Sequence, residues 1–213
     1  RGSERASECT CVYVSGASGG YKRQVAGSAC DARRAVASFG PAYGRYELYA
    51  PSQGVHRFRS LLASARGVDS AAVRVVTLDV GGGFGLRIPC SNEYPLLLWA
   101  GRKCGRPVKW EGTRSEEFVS DVHSRDTCCD GALALTDKGK IIALQLDYVG
   151  NVGAHPVSSA VLSNLLRMAG PPYDVPAMHV KVRGALTNTT PTSVYRGAGR
   201  PQVTYIVERL MDL

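Results

Sequence analysis

Hydrophobic and polar positions follow no clear period at the start of the chain and a sharp one from Tyr46 onward. Residues 1 to 45 are rich in Gly, Ser, Ala and Arg and predict no element. YELYA then reads as a short strand and PSQG as the turn after it. In VHRFRSLLASAR, the residues Val55, Phe58, Leu61, Leu62 and Ala65 fall at helical spacing, and Gly67 stands where a left-handed residue ends a helix. VRVVTLDV, residues 73–80, predicts a buried strand. SNEYPLLLWAGRKCG predicts a helix with Ser91 as N-cap, which tolerates Pro95 only near its first turn. RPVKWE predicts another short strand, and TRSEEF opens a helix through a capping box of Thr113 and Glu116.

The longest alternating pattern lies further on. DGALALTDKGKIIALQLDY alternates on both sides of TDKG and predicts a long hairpin within residues 125–148. NVGAHP breaks it, VSSAVLSNLLRM predicts a helix, GPPYDVP an irregular connection and MHVKVRGALTN a strand. VYRGAGRP then leads into a helix in QVTYIVERLMDL, with Pro201 as its first residue. Strand–helix units beside a long antiparallel hairpin predict an α+β fold. The missing initiator methionine and the stop inside this last helix read as a fragment, with Ile206 and Leu210 expected to be partly uncovered.

Composition narrows the class. A chain of 213 residues, 44% hydrophobic and 21% charged, can bury one sizeable core or two small ones and is not disordered. No run approaches the roughly 20 apolar residues of a membrane span, and RGSERASECTCVYVSG has no apolar core of a signal peptide, so a cytoplasmic location is expected. Seven cysteines without a CxxC pair read as free thiols of a reducing compartment. The net charge of +8 is spread along the chain. A nucleic-acid or phosphate-binding domain would need clustered Lys and Arg with interleaved aromatics, so no nucleic-acid partner is expected.

Three stretches carry candidate chemistry. GGGFG, Gly81 to Gly85, follows a predicted strand at once; it lacks the GK[ST] of a P-loop and the spacing of a dinucleotide fingerprint. Read alone, it is a glycine turn as readily as a ligand loop. In VYRGAGRP, Arg196 offers a planar fork suited to anionic oxygens, between residues that allow close backbone approach and ahead of a helix N-terminus. Gln53 in PSQG, read alone, is a solvated turn residue. His56 and His155 have no partner at metal-ligand spacing, and capping accounts for Glu93, Glu116 and Glu117. No GxSxG motif occurs.

Taken in order, the Gln turn, GGGFG, GRPVKW, the RD pair, the hairpin, NVGA, TN and YRGAGRPQ resemble the molybdenum-binding subunit of the xanthine dehydrogenase, aldehyde oxidase and carbon monoxide dehydrogenase family. The resemblance covers Tyr46 to Leu213, which would form the first part of a molybdopterin-binding domain, and leaves residues 1–45 unassigned. It implies hydroxylation of a small organic substrate with water as oxygen donor. It implies a molybdenum–pterin cofactor, in bacterial members a cytosine dinucleotide. Electrons would leave through [2Fe–2S] clusters and FAD on a small and a medium partner subunit, in a dimer of heterotrimers. By the same resemblance Gln53 approaches an oxo ligand of the metal. Gly82, Gly83, Phe84 and Gly85 bring backbone N–H groups to the cofactor, and Arg196 and Gly197 line the centre. The resemblance implies no direct ligation of the metal by a side chain of this chain. The family's base glutamate is expected downstream, so the chain alone is expected to be inactive or, in a second reading, a non-catalytic remnant keeping the fold or a subunit interface.

Departures from the family's patterns bear on the substrate. Gly197 replaces the Cys of carbon monoxide-oxidising members, and Ala198 replaces the Phe of purine-oxidising ones. Ile88 and Asn164 stand where the latter carry Glu and Arg. An aldehyde or an N-heterocycle is the expected substrate.

Overall fold

A computed structural model describes residues 9–14, 26–170 and 172–213, the first of these as backbone only. The elements begin β1 (Cys9–Val14), β2 (Arg34–Gly40), β3 (Arg45–Tyr49), α1 (Val55–Arg66), β4 (Val73–Val76), α2 (Glu93–Cys104), β5 (Val108–Glu111) and α3 (Arg114–Ser120). They continue β6 (Thr127–Thr136), β7 (Ile141–Gly153), α4 (Ala160–Arg167), β8 (Ala177–Leu186) and α5 (Arg200–Met211). The chain divides into two units, Ala26–Asp121 and a second made of Val122–Leu213 with the N-terminal residues that include β1. Helices and mixed sheets give the expected α+β class.

In the unit Ala26–Asp121 the sheet order is β4-β3-β2-β5. β2 runs antiparallel to β3 and β5, while β3 and β4 are parallel, as a strand–helix–strand crossover through α1 requires. Ala35, Ala37, Tyr46 and Leu48 of the sheet pack with Phe58 and Leu62 of α1 and Leu97 and Leu98 of α2. α2 lies close on β2 because Gly101 faces it: a Cβ there would stand 3.2 Å from the Ala37 carbonyl oxygen. Gly67 caps α1 in the left-handed region as expected (φ 64).

The second unit has sheet order β1-β6-β7-β8, with β6 and β7 forming the predicted hairpin. Leu133, Leu144, Leu146 and Tyr148 pack with Leu165 of α4 and with Val203, Ile206, Val207 and Leu210 of α5.

Several expectations need correction. Residues 34–40 form a central strand although the pattern predicted none, because alanines supply little β propensity yet suit a helix packed at close range. The strand expected over 73–80 ends at Val76, and Leu78 and Asp79 are exposed. Asn92, not Ser91, occupies the N-cap of α2; the Ser91 carbonyl accepts the Tyr94 N–H and its hydroxyl bonds the Glu93 carboxylate. α5 begins at Arg200, one residue before Pro201. β7 runs on to Gly153, so the break starts later than NVGAHP implied. Ile206 and Leu210 are covered, at 1% exposure each, because Gly131 of β6 leaves room for them.

Candidate functional site

The turn after β3 is fixed by short polar contacts. Thr77 Oγ1 donates to the Ala50 carbonyl at 2.9 Å and lies 2.7 Å from Ser52 Oγ. The Gln53 N–H donates to the Arg87 carbonyl at 3.0 Å. Its side-chain Oε1 accepts from the Gly85 N–H at 2.8 Å and from the Arg87 N–H at 3.3 Å. Backbone N–H groups can only donate, so the orientation of the carboxamide is chemically determined. The oxygen is spent on the loop, and the NH2 end is what Gln53 can offer a ligand. GGGFG is what admits this side chain: a Cβ on Gly83 would come within 2.5 Å of Gln53 Cδ. Phe84 is held at φ 51, left-handed despite its side chain, and Gly82 and Gly85 also take positive φ.

Behind this loop lies a cluster of buried charge. The Arg87 guanidinium donates to the Asp31 carbonyl at 2.7 Å and stands 3.7 Å from Glu117 Oε1 and 4.0 Å from Asp31 Oδ1. Glu117 also accepts from Arg114 at 2.7 Å and from the Arg33 N–H. Burial raises the Asp121 carboxyl above its ordinary value, against the pull of Arg33. In the same segment, burial pushes the Cys90 thiol up to about 12 and, opposed by Arg87, the Tyr94 hydroxyl up to about 12.

The arginine loop belongs to the other unit. Gly197, Ala198 and Gly199 take φ 87, 44 and 97 in succession and lead straight into α5. Two backbone bonds close the loop, Ala198 N–H to Tyr195 O at 2.8 Å and Arg200 N–H to Gly197 O at 3.0 Å. Arg125, itself at φ 67, donates to the Arg196 carbonyl and to Gln202 Oε1 at 3.4 Å, and lies over the Tyr195 ring. Asn164 Nδ2 donates to the Ala198 carbonyl at 2.9 Å. Arg196 is exposed. Phe84, Arg125 and Ala198 are all the positive-φ residues other than glycine among the described ones, and each lies in one of these loops or holds it.

The structure thus joins Gln53 to Gly83 and Gly85 in one unit, with Gly82 and Phe84 on the same loop. It joins Asn164 to the Arg196–Gly197–Ala198 loop in the other. Ile88 sits just beyond GGGFG, its N–H donating to the Gly85 carbonyl at 3.2 Å. His56 and His155 are exposed, and among the described residues no group of His, Cys, Asp and Glu could hold a metal ion. No described helix is long and apolar enough to cross a membrane. Sequence reasoning missed Asp31 and Arg87, used Arg125 only as part of the RD pair, and read Glu117 only as a helix-start residue. Arg87 did leave a signal, a lone cation within the apolar stretch GLRIPC.

The chain matches the molybdopterin cofactor-binding domain family over residues 12–213, a match that begins well before Tyr46. It is 34% identical, over 84% of its length, to the carbon monoxide dehydrogenase large chain of Hydrogenophaga pseudoflava, of which it covers 23%. It is 31% identical, over 75% of its length, to the 6-hydroxypseudooxynicotine dehydrogenase complex subunit gamma of Paenarthrobacter nicotinovorans, of which it covers 20%. Quinoline 2-oxidoreductase from Pseudomonas putida 86 shares the fold with a TM-score of 0.85 at 26% identity, over 96% of this chain and 26% of that one.

Proposed function

We infer the function from a premise of kinship: this chain belongs to the molybdopterin cofactor-binding domain family, as a molybdenum-binding subunit of the xanthine dehydrogenase and carbon monoxide dehydrogenase type. It spans between a fifth and a quarter of the length of these two curated relatives. We propose that the full-length subunit hydroxylates an aldehyde or an N-heterocycle with water as oxygen donor, and that this chain alone is inactive. Quinoline, named for one structural relative, is an N-heterocycle and supports that arm.

The observation that carries the reading is the commitment of Gln53 Oε1 to two backbone N–H groups. A carboxamide so held offers its NH2 donors outward, and an oxo or phosphate oxygen needs a donor. The residues present therefore fit a molybdenum–pterin group. When bound, that group supplies a two-electron oxidant that draws its oxygen from water. Gln53 would donate to it through Nε2, Gly82 to Gly85 would line it with backbone, Phe84 N–H included, and Arg196 and Gly197 would form an anion-favouring wall. By the family resemblance Ala198 and Ile88 would line the substrate pocket, and neither brings a charge to it. Asn164 would line it while its amide holds the Ala198 carbonyl in place. The cytosine dinucleotide form, the [2Fe–2S] and FAD subunits, the dimer of heterotrimers and a cytoplasmic location complete the proposal.

The test is metal and nucleotide content after expression in a host that makes the cofactor. Molybdenum and acid-released CMP should appear in equal amounts in the full-length subunit, and Gln53→Ala should lower both. A full-length subunit retaining neither overturns the reading.

A further inference from the structure

We propose that Glu117 of α3 is a positioning residue for Gln53, acting through Arg87 and the glycine loop. Glu117 is 4% exposed and Arg87 5%, so neither serves as a solvated surface charge. The connections run in one direction. The Glu117 carboxylate faces the Arg87 guanidinium at 3.7 Å and takes the Arg114 guanidinium at 2.7 Å. Arg87 donates from its side chain to the Asp31 carbonyl and from its backbone to Gln53 Oε1. Arg114 donates to the Cys30 carbonyl at 3.2 Å, and the Cys30 N–H donates to the Gly81 carbonyl at 2.8 Å. One carboxylate therefore holds both sides of GGGFG: the Cys30 segment against Gly81, and the residue whose N–H fixes the Gln53 oxygen. Without the Glu117 charge, Arg87 keeps only the more distant Asp31 carboxylate, at 4.0 Å, and a buried cation so weakly compensated favours a rearranged segment. In this site the rearrangement would free the carboxamide to flip, exchanging donor for acceptor at the ligand face.

The inference rests on reading Gln53 as a ligand contact, but its test needs no cofactor. In the 15N-labelled chain of 213 residues, Glu117→Gln should speed amide hydrogen exchange at Gly85 and Arg87 by about tenfold or more and shift the Gln53 side-chain NH2 resonance. Exchange at Leu48 and Leu62, in the same unit, should stay unchanged. Arg87→Lys, which keeps the charge, should alter the same signals less than Arg87→Met. Unaltered exchange at Gly85 and Arg87, or a rise shared equally by Leu48 and Leu62, overturns the proposal, the latter because it marks a general loss of stability. Should Glu117→Gln fail to fold, the Arg87 pair decides by the same criteria. Failure of the functional reading would look different: these exchange effects present, with no molybdenum retained by the full-length subunit.

Discussion

Ala198 and Gly199 sit side by side in the left-handed region, at φ 44 and φ 97, and only one of them lacks a side chain. An L-residue pays roughly 1–2 kcal/mol there, offset in part by the lower chain entropy that a Cβ brings to the unfolded state. Ala198→Gly should therefore leave stability unchanged or raise it by up to about 1 kcal/mol. Gly199→Ala adds a Cβ only 2.6 Å from the Val161 carbonyl oxygen of α4 and should cost at least about 2 kcal/mol. Urea denaturation of the two variants checks the opposite signs, and equal costs would show that backbone conformation does not govern this loop. The arginine between tyrosine and glycine was visible in the sequence, as was the need for an unusual backbone. The brace was not: Asn164 and Arg125 reach the loop from 34 and 71 residues away in the chain, and no local pattern records such a contact.

Among the elements, α3 shows how a surface cap can serve a buried group. Thr113 Oγ1 accepts from the Glu116 N–H at 3.2 Å, and the Glu116 carboxylate accepts from the Thr113 N–H at 2.7 Å. The bonds its carboxylate accepts from the Thr113 N–H and, at 2.9 Å, from the Thr113 hydroxyl hold the Glu116 carboxyl below its ordinary value. The helix has only 7 residues, so its start bears heavily on its population. Thr113→Ala should cost about 1 kcal/mol, read as a lower thermal midpoint. Since Glu117 follows one residue later, exchange at Gly85 should rise with it. The capping box was legible because its signature is local. Strand β2 was not, since its alanines read as weakly strand-forming and their fit beneath Gly101 of α2 depends on a helix more than 50 residues on.

Across both units, buried thiols and phenols with high proton affinity tie stability to alkaline pH. Burial pushes the thiols of Cys90 and Cys129 up to about 12 from an ordinary 9.0. It lifts Tyr94 to about 12 from 10.0 and raises Tyr148 further still. Cys90 and Tyr94 lie in one unit, Cys129 and Tyr148 in the other. These four groups bind more protons in the folded chain than in the unfolded one in this range, so the stability they contribute is intact below about pH 9 and is lost as pH rises toward 12. Thermal midpoints measured from pH 8 upward should decline in both units. A flat profile would mean that these groups are not held protonated by the fold.

The sequence by itself determined what depends on neighbours along the chain: most helices, the long hairpin, the αL glycine after α1, the capping box and the two loops that suggest a molybdenum-type site. Motif order was enough to place the chain in its family, because each motif is a local answer to a local backbone demand. Tertiary structure alone decided how those loops are held. It spent the Gln53 oxygen on Gly85 and Arg87, buried Glu117 against Arg87, and tied Ala198 to Asn164. The physical reason is that a hydrogen-bond donor or a counter-charge can come from any distance in sequence, so its partner is fixed only when packing closes around it.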